Sequence, residues 1–446
     1  MRGERRPEKQ EMAGLHVRLL CVRTLIRAEE TKSYGNLALN SALQKAALEA
    51  RDAALCTAIF QGVTERRLTL DACIATHSKR PPEQLDLPVR NVLRCGIYEL
   101  LYLHTPESAV VNLWTESVKK LKKASASGMV NAVLRGFLRG GKQIPMPDEP
   151  QKAMAVQYSV PESLIELLIQ DHGAETVIAF LENALEVPPI YVRRNPLTCT
   201  EAEFRAQIAA EPVSGIPDAY CLDRGAHSEV KNAGALMHVQ DLASQLCCLA
   251  LDPQPGETVL DVCAAPGGKT FTIAELMQNQ GHVYAYDLHE NRVSLIRKGA
   301  AALHLTCVEA QTGDARLTEK PLADRVLCDV PCSGYGVLRR KPEIRYKPPA
   351  ETEGLPEIQY QILEAAAKAV RLGGVLVYST CTVLKRENED VVRRFLAAHP
   401  AFRLEKVWQN IPALAGYGQE MTTLFPAMCG SDGFFLAKLR ADESRG

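Results

Sequence analysis

From residue 256 onward the chain alternates short apolar runs with helical stretches, and this alternation constrains the fold more than any other feature. We predict five strands, at 258–262, 282–287, 306–310, 324–329 and 375–379. We predict four helices in the same region, at 270–279, 289–302, 357–371 and 387–398. Strands that alternate with helices pair in parallel through right-handed crossovers. The sequence therefore predicts a doubly wound α/β sheet, in which ligands lie beyond the carboxyl ends of the strands.

The first 142 residues have a different pattern. Apolar residues between 14 and 140 recur every three to four positions, which predicts an all-α bundle of about six or seven helices. A run rich in Gly and Pro at 140–150 predicts a linker, and a small α+β module follows it to about residue 240. We therefore predict three domains, at 1–142, 143–240 and 241–446.

Composition and charge narrow the class of protein. Hydrophobic residues make up 46% of the chain and charged residues 24%, which excludes a mostly disordered chain or a fibre. No apolar stretch is long enough for a membrane span and no signal segment precedes the bundle, so we expect a cytoplasmic protein without a membrane partner. The 14 cysteines include no Cys-x-x-Cys pair, so we expect no metal site.

The charge is unevenly distributed along the chain. Residues 1–142 carry 23 Lys and Arg against 14 Asp and Glu, a balance of +9 in a chain whose net charge is −1. The remaining residues therefore carry a balance of −10. A basic front end favours a polyanionic partner such as RNA, and chance unevenness is the alternative.

Small residues and acids follow the first three predicted strands. The first strand is followed by Cys263, Ala264, Ala265, Pro266, Gly267, Gly268 and Lys269, which would let a ligand lie against the backbone. The dinucleotide and Walker fingerprints are both absent. Asp287 and Asp314 follow the next two strands, where acids can bind a ribose and an adenine edge, although each alone is more often a turn or a cap. Together they favour S-adenosyl-L-methionine as the cofactor.

Two cysteines end the last two strands. Cys332 and Cys381 lie over one predicted cleft, with Asp329 beside the first of them. A cysteine thiolate can add to carbon 6 of a pyrimidine, which makes carbon 5 able to attack a methyl donor. An acid such as Asp329 can hold the nitrogens of the ring. The alternative is that both cysteines are structurally inert.

The residues of these strand ends match a known family. The runs 261–270, 329–334 and 379–390, with 238–241 and 432–435, resemble the Sun family of RNA (cytosine-5)-methyltransferases. The runs 94–101 and 130–135 of the front end resemble the antitermination factor NusB. The resemblance implies a seven-stranded Rossmann-like methyltransferase sheet with one antiparallel strand near 433–439, and a substrate in small-subunit (16S) ribosomal RNA.

The resemblance also implies roles for individual residues. Cys381 would attack the base, and Cys332 would release the product from the covalent adduct. Lys269 and Asp329 would face both the cofactor and the target base. The remaining cofactor-binding residues would be Cys263, Ala264, Ala265, Pro266, Gly267, Gly268, Asp287 and Asp314.

Two other functions stay open at this point. The chain could methylate transfer RNA instead, or it could be an inert antitermination-like factor that binds RNA. The presence of Cys332, Cys381 and Asp329 counts against the inert alternative, because an inert protein has no chemical reason to keep all three. The NusB-like front end favours ribosomal RNA by analogy. The target nucleotide and the oligomeric state stay undetermined.

Overall fold

The computed structural model describes residues 6–31, 35–223, 229–230, 233–409, 411–414 and 416–442. The chain forms two compact units. The first, which we call the helical unit, comprises the chain up to Leu167 together with Lys341–Lys347, which we call the inserted segment. The second, the sheet unit, comprises Leu168–Arg340 and Pro348–Gly446. The boundary predicted at residue 142 therefore lies inside the helical unit, and the division into three functional domains stays a prediction.

The helical unit is built from amphipathic helices. Their bounds are α1 Arg6–Thr31, α2 Gly35–Ala46, α3 Ala50–Glu65, α4 Arg67–His77, α5 Leu87–Tyr102, α6 Glu107–Lys120, α7 Ser127–Arg139, α8 Pro150–Tyr158 and α9 Glu162–His172, the last of which crosses the unit boundary. Seven α-helices lie in the described part of the first 140 residues, which agrees with the predicted six or seven. The prediction succeeds because every helix has an apolar stripe at the helical period.

A buried ion pair lies in the core of the helical unit. Glu99 on α5 is fully buried and accepts hydrogen bonds from Arg18 Nε at 3.0 Å and Trp114 Nε1 at 2.8 Å. Another buried arginine, Arg94 on α5, donates two 2.7 Å hydrogen bonds to the carboxylate of Asp71. Each buried charge is therefore hydrogen-bonded, as burial of a charge requires.

The inserted segment packs among the helices of this unit. Arg345 is fully buried, and its Nη1 donates to the carbonyls of Glu65 at 3.0 Å and Tyr158 at 3.2 Å. The Tyr346 hydroxyl also donates to the Glu65 carbonyl, at 2.9 Å. The guanidinium of Arg67 lies 3.7 Å from the centre of the Tyr346 ring, within the range of a cation–π contact. No pattern in the sequence predicts this insertion.

The sheet unit begins with helix α10 and a small antiparallel sheet, as the predicted α+β module requires. The remaining helices are α10 Ala174–Asn183, α11 Glu201–Gln207, α12 Leu242–Leu251, α13 Gly268–Leu276, α14 Glu290–Ala302, α15 Leu355–Ala367, α16 Glu389–Ala398 and α17 Pro426–Cys429. The small sheet has the strand order β2-β3-β1-β4, with β1 Tyr191–Arg194, β2 Ala210–Pro212, β3 Ala219–Leu222 and β4 Met237–Val239.

The main sheet has the predicted doubly wound order. Its strands are β5 Thr258–Asp261, β6 His282–Asp287, β7 Val308–Thr312, β8 Ala323–Asp329, β9 Val370–Thr380, β10 Phe402–Glu405, β11 Met421–Leu424 and β12 Phe434–Ala441. The order is β10-β12-β9-β8-β5-β6-β7, and β12 runs antiparallel to its neighbours, as predicted near 433–439. The described sheet has eight strands where seven were predicted, because β10 and β11 share one edge of β12.

Two of the predicted bounds are wrong near residue 370. The helix expected at 357–371 ends at Ala367, and β9 begins at Val370 where the strand was expected only from 375. The cause is a tertiary contact, since Val370 pairs with Ala323 on β8. The strand expected at 306–310 is also shifted, to Val308–Thr312.

Helices cover both faces of the main sheet. Neighbouring strand residues point to opposite faces, so Val259 packs with α12, α13 and α14 while Leu260 packs with α15 and α16. Burial on both faces is typical of parallel strands. The strands β5, β6, β7, β8 and β9 are parallel, so their carboxyl ends meet at one edge of the sheet. The predicted site residues lie at that edge.

Candidate active site

A cavity of about 200 Å³, open to solvent, lies at the carboxyl end of β5. Its lining residues are Val239, Gln240, Asp241, Ser244, Asp261, Cys263, Ala264, Ala265, Pro266, Gly268, Lys269 and Asp329. Seven of the twelve predicted site residues are among them. The other five, Gly267, Asp287, Asp314, Cys332 and Cys381, lie outside this lining.

The turn after β5 depends on glycine. Gly267 has φ +115°, and a Cβ there would lie 2.5 Å from the ring of Phe271. Gly267 occupies the N-cap of α13 and supplies no capping side chain, while its own N–H donates to Ala264 O at 2.8 Å. The first N–H groups of a helix have no partner within the helix, so this end of α13 favours an anion.

Asp261, the last residue of β5, was not predicted as a site residue. Its side chain is 1% exposed and lines the cavity. Oδ2 accepts a 2.7 Å hydrogen bond from Thr270, whereas Oδ1 has no hydrogen-bond partner among the described residues. Burial raises the pKa of Asp261 to about 7. A buried acceptor without a partner indicates a missing ligand or water.

Asp287 lies at the carboxyl end of β6 and contacts the turn after β5. It is 4% exposed and accepts hydrogen bonds from the N–H groups of Ala265 at 3.3 Å and His289 at 3.2 Å. Arg292 Nη1 lies 3.1 Å from its Oδ2. The carbonyl of Asp287 accepts from Gly313 N–H at 3.0 Å, which places the next strand end beside it.

Asp314 follows β7 and pairs with a near neighbour. Its Oδ2 accepts a 2.7 Å hydrogen bond from Arg316 Nη2, and its Oδ1 accepts from the Arg316 N–H at 2.9 Å. These hydrogen bonds lower the pKa of Asp314 to about 2. The carboxylate is therefore ionised and partnered by Arg316, a residue that the sequence analysis did not single out.

Lys269 and Asp329 form an ion pair across two strand ends. Lys269 Nζ donates to Asp329 Oδ2 at 2.8 Å, and Ser379 Oγ donates to Asp329 Oδ1 at 2.8 Å. Burial lowers the pKa of Lys269, but the charge and hydrogen bond of Asp329, together with the nearby Cys247 and Cys248, outweigh burial and the pKa is raised overall. The ammonium also lies 5.2 Å from the centre of the Phe434 ring. A fixed positive and a fixed negative group thus face the cavity together.

The two predicted cysteines lie together. Cys332 Sγ is 3.2 Å from Cys381 Sγ, a hydrogen-bond distance for sulfur. The hydrogen bond to Cys381 is the largest cause that raises the pKa of Cys332, and burial adds to it. The backbone beneath the pair is tightly packed, because Gly336 N–H donates to Cys381 O at 3.0 Å and a Cβ at Gly336 would lie 2.0 Å from Gly433 O.

A buried carboxylate supports this pair. Glu387 is fully buried, and its Oε2 accepts hydrogen bonds from Ser333 N–H at 2.8 Å and from Gln359 Nε2 at 2.9 Å. Because Ser333 follows Cys332 directly, Glu387 holds the backbone next to Cys332 in the segment after β8. Glu387 lies in the 379–390 run, but no role was predicted for it, and only its position in the fold indicates one.

The two shorter runs singled out in the sequence meet at the other side of the cavity. Arg340 donates to Asp241 Oδ1 at 2.8 Å and to Asp432 Oδ2 at 2.5 Å. Asp241 also accepts from Ala243 N–H at 2.9 Å and so caps α12. Burial raises the pKa of Asp432 to about 6, because the charge of Asp241 adds to desolvation and the arginine opposes both.

Within the described residues, no helix is long and apolar enough to cross a membrane. The same part of the chain contains no group of three or more His, Cys, Asp and Glu side chains that could hold a metal ion.

Both the helical front end and the main-sheet region of the chain match known protein families. A model of the 16S rRNA methyltransferase RsmB/F family matches residues 248–440, and a NusB family model matches residues 15–139. The chain is 35% identical to the probable ribosomal RNA small subunit methyltransferase B of Bacillus subtilis (strain 168), over 96% of this chain and 99% of the relative. It is 36% identical to that of Synechocystis, over 92% and 95%. The crystal structure of PH0851 covers 96% of this chain and 98% of its own, with 26% identity and a TM-score of 0.80.

The fold, the cavity and these matches define an RNA methyltransferase that uses S-adenosyl-L-methionine. The chain belongs to the ribosomal RNA small subunit methyltransferase B family, with a NusB-type helical region in front. The cavity suits the cofactor, which when bound supplies a methyl group carried on a sulfonium. The turn after β5 that lines this cavity requires glycine at position 267, and the buried Asp261 Oδ1 lacks a partner among the described residues.

Proposed function

We propose that this protein methylates carbon 5 of a cytosine in small-subunit ribosomal RNA through a covalent adduct between Cys381 and the base. The observation that carries the proposal is the 3.2 Å contact between Cys332 and Cys381, beside Asp329 and Lys269. Carbon 5 of cytosine is a weak nucleophile, and addition of a thiolate to carbon 6 is the way a protein can activate it.

The first step is attack by Cys381. The hydrogen bond to Cys381, burial and the charge of Glu387 raise the pKa of Cys332. We propose that Cys332 holds the one proton of the pair and that Cys381, as the thiolate, forms a bond to carbon 6 of the ring. Asp329 and Lys269 hold the nitrogens and the carbonyl edge of the base, so that charge on the ring is limited while carbon 5 takes the methyl group.

The second step removes the proton from carbon 5. Once Cys381 is bonded to carbon 6, its hydrogen bond no longer raises the pKa of Cys332, so Cys332 loses its thiol proton to water and then accepts the proton from carbon 5. The electron pair of the broken C–H bond restores the double bond between carbons 5 and 6 and expels Cys381 as a thiolate. The pair returns to its starting state with one shared proton, and the reaction releases one proton to solvent.

The helical unit is the part that we propose holds the RNA. The end of α6 and the turn after it include two exposed lysines, Lys120 and Lys122, while Lys119 pairs with Glu116 at 3.0 Å and Lys123 with Asp86 at 2.5 Å. These pairs are between exposed groups and are worth little, so phosphates can replace them. We propose a cytoplasmic setting, where ribosomal RNA is made.

The test is to trap the adduct. Cys332→Ala is expected to accumulate a covalent protein–RNA band on denaturing gels, because attack still occurs and release does not. Cys381→Ala is expected to abolish methyl transfer and form no adduct, while the affinity for the cofactor stays near that of the wild type. Unmodified ribosomal RNA and transfer RNA are incubated in parallel with labelled cofactor, and the modified base is mapped.

Three outcomes would contradict the proposal. An adduct in Cys381→Ala and none in Cys332→Ala would reverse the two roles. Methylation of transfer RNA alone would replace the substrate. A labelled base other than 5-methylcytosine would overturn the covalent mechanism altogether.

A further inference from the structure

Asn388 is a fully buried polar residue that the proposed reaction does not use. It is the N-cap residue of α16, a position where an asparagine side chain usually accepts a hydrogen bond from a free N–H group of the helix. Among the described residues, the Asn388 side chain makes no such bond. A capping bond would stabilise α16, so a side chain that forgoes it indicates a role elsewhere.

The amide of Asn388 holds the residues on both sides of Cys381. Its Oδ1 accepts a 2.6 Å hydrogen bond from the Thr380 hydroxyl, and its Nδ2 donates to the Thr382 carbonyl at 3.0 Å. Thr380 and Thr382 are fully buried as well. Hydrogen bonds are electrostatically stronger in a buried setting than in water, so one side chain fixes the backbone that carries the Cys381 thiol.

A second hydrogen bond joins the segments of the two cysteines directly. Ser333 follows Cys332 in the chain. Thr382 follows Cys381, and its hydroxyl is hydrogen-bonded to the Ser333 hydroxyl at 2.8 Å. Ser333 is only 4% exposed, and its N–H donates to Glu387 Oε2 at 2.8 Å. The two segments are therefore tied to each other and to the residues just before α16.

These contacts fix the separation of two thiols that act on one ring. In the proposed reaction, Cys381 bonds to carbon 6 while Cys332 takes the proton from the adjacent carbon 5. If the two segments moved apart, one thiol could reach its carbon and the other could not. A misplacement of about 1 Å can slow a catalysed step roughly 100-fold.

We propose that Asn388 is a positioning residue for the attack by Cys381. The hydrogen bond between Ser333 and Thr382 then holds Cys332 in place for release of the product. The inference rests on the two-cysteine function proposed above, and it adds residues that act through the two thiols. Loss of the Asn388 amide slows formation of the adduct, whereas loss of the hydroxyl pair slows its breakdown.

The first part is tested in the Cys332→Ala background, where release is blocked. Asn388→Asp keeps an acceptor for Thr380 but sets a carboxylate oxygen against the Thr382 carbonyl. The rate at which unmodified small-subunit ribosomal RNA becomes covalently bound, followed on denaturing gels, is expected to fall about 10-fold, while calorimetry shows unchanged cofactor affinity. Thr380→Val removes only the donor to Asn388 Oδ1, and it is expected to slow attack even where Asn388→Asp does not fold.

The second part is tested with both cysteines present. Thr382→Val removes the hydroxyl with little change of shape, so kcat is expected to fall about 10-fold and a covalent protein–RNA band to accumulate during turnover. Thr382→Ser keeps a hydroxyl and is expected to turn over like the wild type. Ser333→Ala should reproduce Thr382→Val, and the double variant should be no slower than either single variant, because all three lack the same bond.

A matched control separates positioning from the loss of any buried hydroxyl. Thr422 is 4% exposed, and its hydroxyl donates to the Tyr417 carbonyl at 3.3 Å, so Thr422→Val should form no covalent band. If Cys332→Ala traps RNA but neither Asn388→Asp nor Thr380→Val slows the trapping, the inference is overturned and the proposed function stands. A Thr382→Val variant that turns over without a covalent band overturns it equally. If Cys332→Ala traps no RNA, the proposed function fails and the inference fails with it.

Discussion

Replacement of Asp287 tests the cofactor site most directly. If its carboxylate accepts hydrogen bonds from the ribose hydroxyls, Asp287→Ala removes charge-assisted bonds from a position that is only 4% exposed. Such a bond is worth about 1.5–3 kcal/mol. The expected loss of affinity for S-adenosyl-L-methionine is therefore roughly 10- to 150-fold.

The protein groups that contact Asp287 contribute little to the expected loss of cofactor affinity. The bond from Ala265 N–H is long, at 3.3 Å, so its loss costs less than an ordinary hydrogen bond. Arg292 is 47% exposed and can turn its guanidinium to water when its partner is removed. The ribose contacts are thus the main contribution to the expected change.

Isothermal titration of the cofactor into wild type and variant measures the effect. Asp390→Ala is the control, since Asp390 is 58% exposed and pairs only with Arg393 among the described residues, at 3.1 Å. That pair should be worth less than about 1 kcal/mol, and the cofactor affinity should not change. Equal affinity in Asp287→Ala and wild type, with thermal unfolding preserved, would refute the assignment.

Two further predictions concern RNA binding and the cysteine pair. Replacement of four lysines by Gln should weaken RNA binding and flatten its salt dependence, by about 0.7–0.9 in the log–log slope per lost phosphate contact, without a change in cofactor affinity. The four are Lys119, Lys120, Lys122 and Lys123. An unchanged salt slope would show that this face does not hold RNA. Glu387→Gln keeps an acceptor oxygen for Ser333 and Gln359 but removes a negative charge, so the pKa of Cys332 should fall. Iodoacetamide should then alkylate Cys332 severalfold faster in the variant than in the wild type. Equal alkylation rates, measured by peptide mass spectrometry, would contradict this prediction.

The strand ends could be predicted because their signals are local. The apolar runs before Asp287 and Asp329 lie in the chain next to the residues they position, and parallel strands bring such ends together. The predicted meeting of Cys332 and Cys381 is confirmed by their 3.2 Å contact for the same reason.

The features that were missed depend on contacts between distant residues. Gln240 becomes notable only because Thr272, on another element, takes its oxygen and leaves the nitrogen unpartnered. Glu387 acts on Ser333, 54 positions away. The local sequence around Val370 predicts a helix, but Val370 lies in strand β9 because it pairs with Ala323 on β8. No periodicity in the sequence encodes these pairings.

The inserted segment has a consequence for how the protein is made. The helical unit leaves the ribosome first, yet Arg345 and Tyr346, which bond to Glu65 O, belong to residues translated much later. At about 5–20 residues per second, the roughly 180 residues between Leu167 and Lys347 take on the order of 10–40 s to synthesise. During that interval the carbonyls of Glu65 and Tyr158 in the nascent bundle lack the hydrogen bonds that Arg345 and Tyr346 later donate. The front end therefore completes its fold only after strands β5, β6, β7 and β8 of the main sheet have been synthesised, and a gene fragment that stops at residue 167 encodes an unfinished unit.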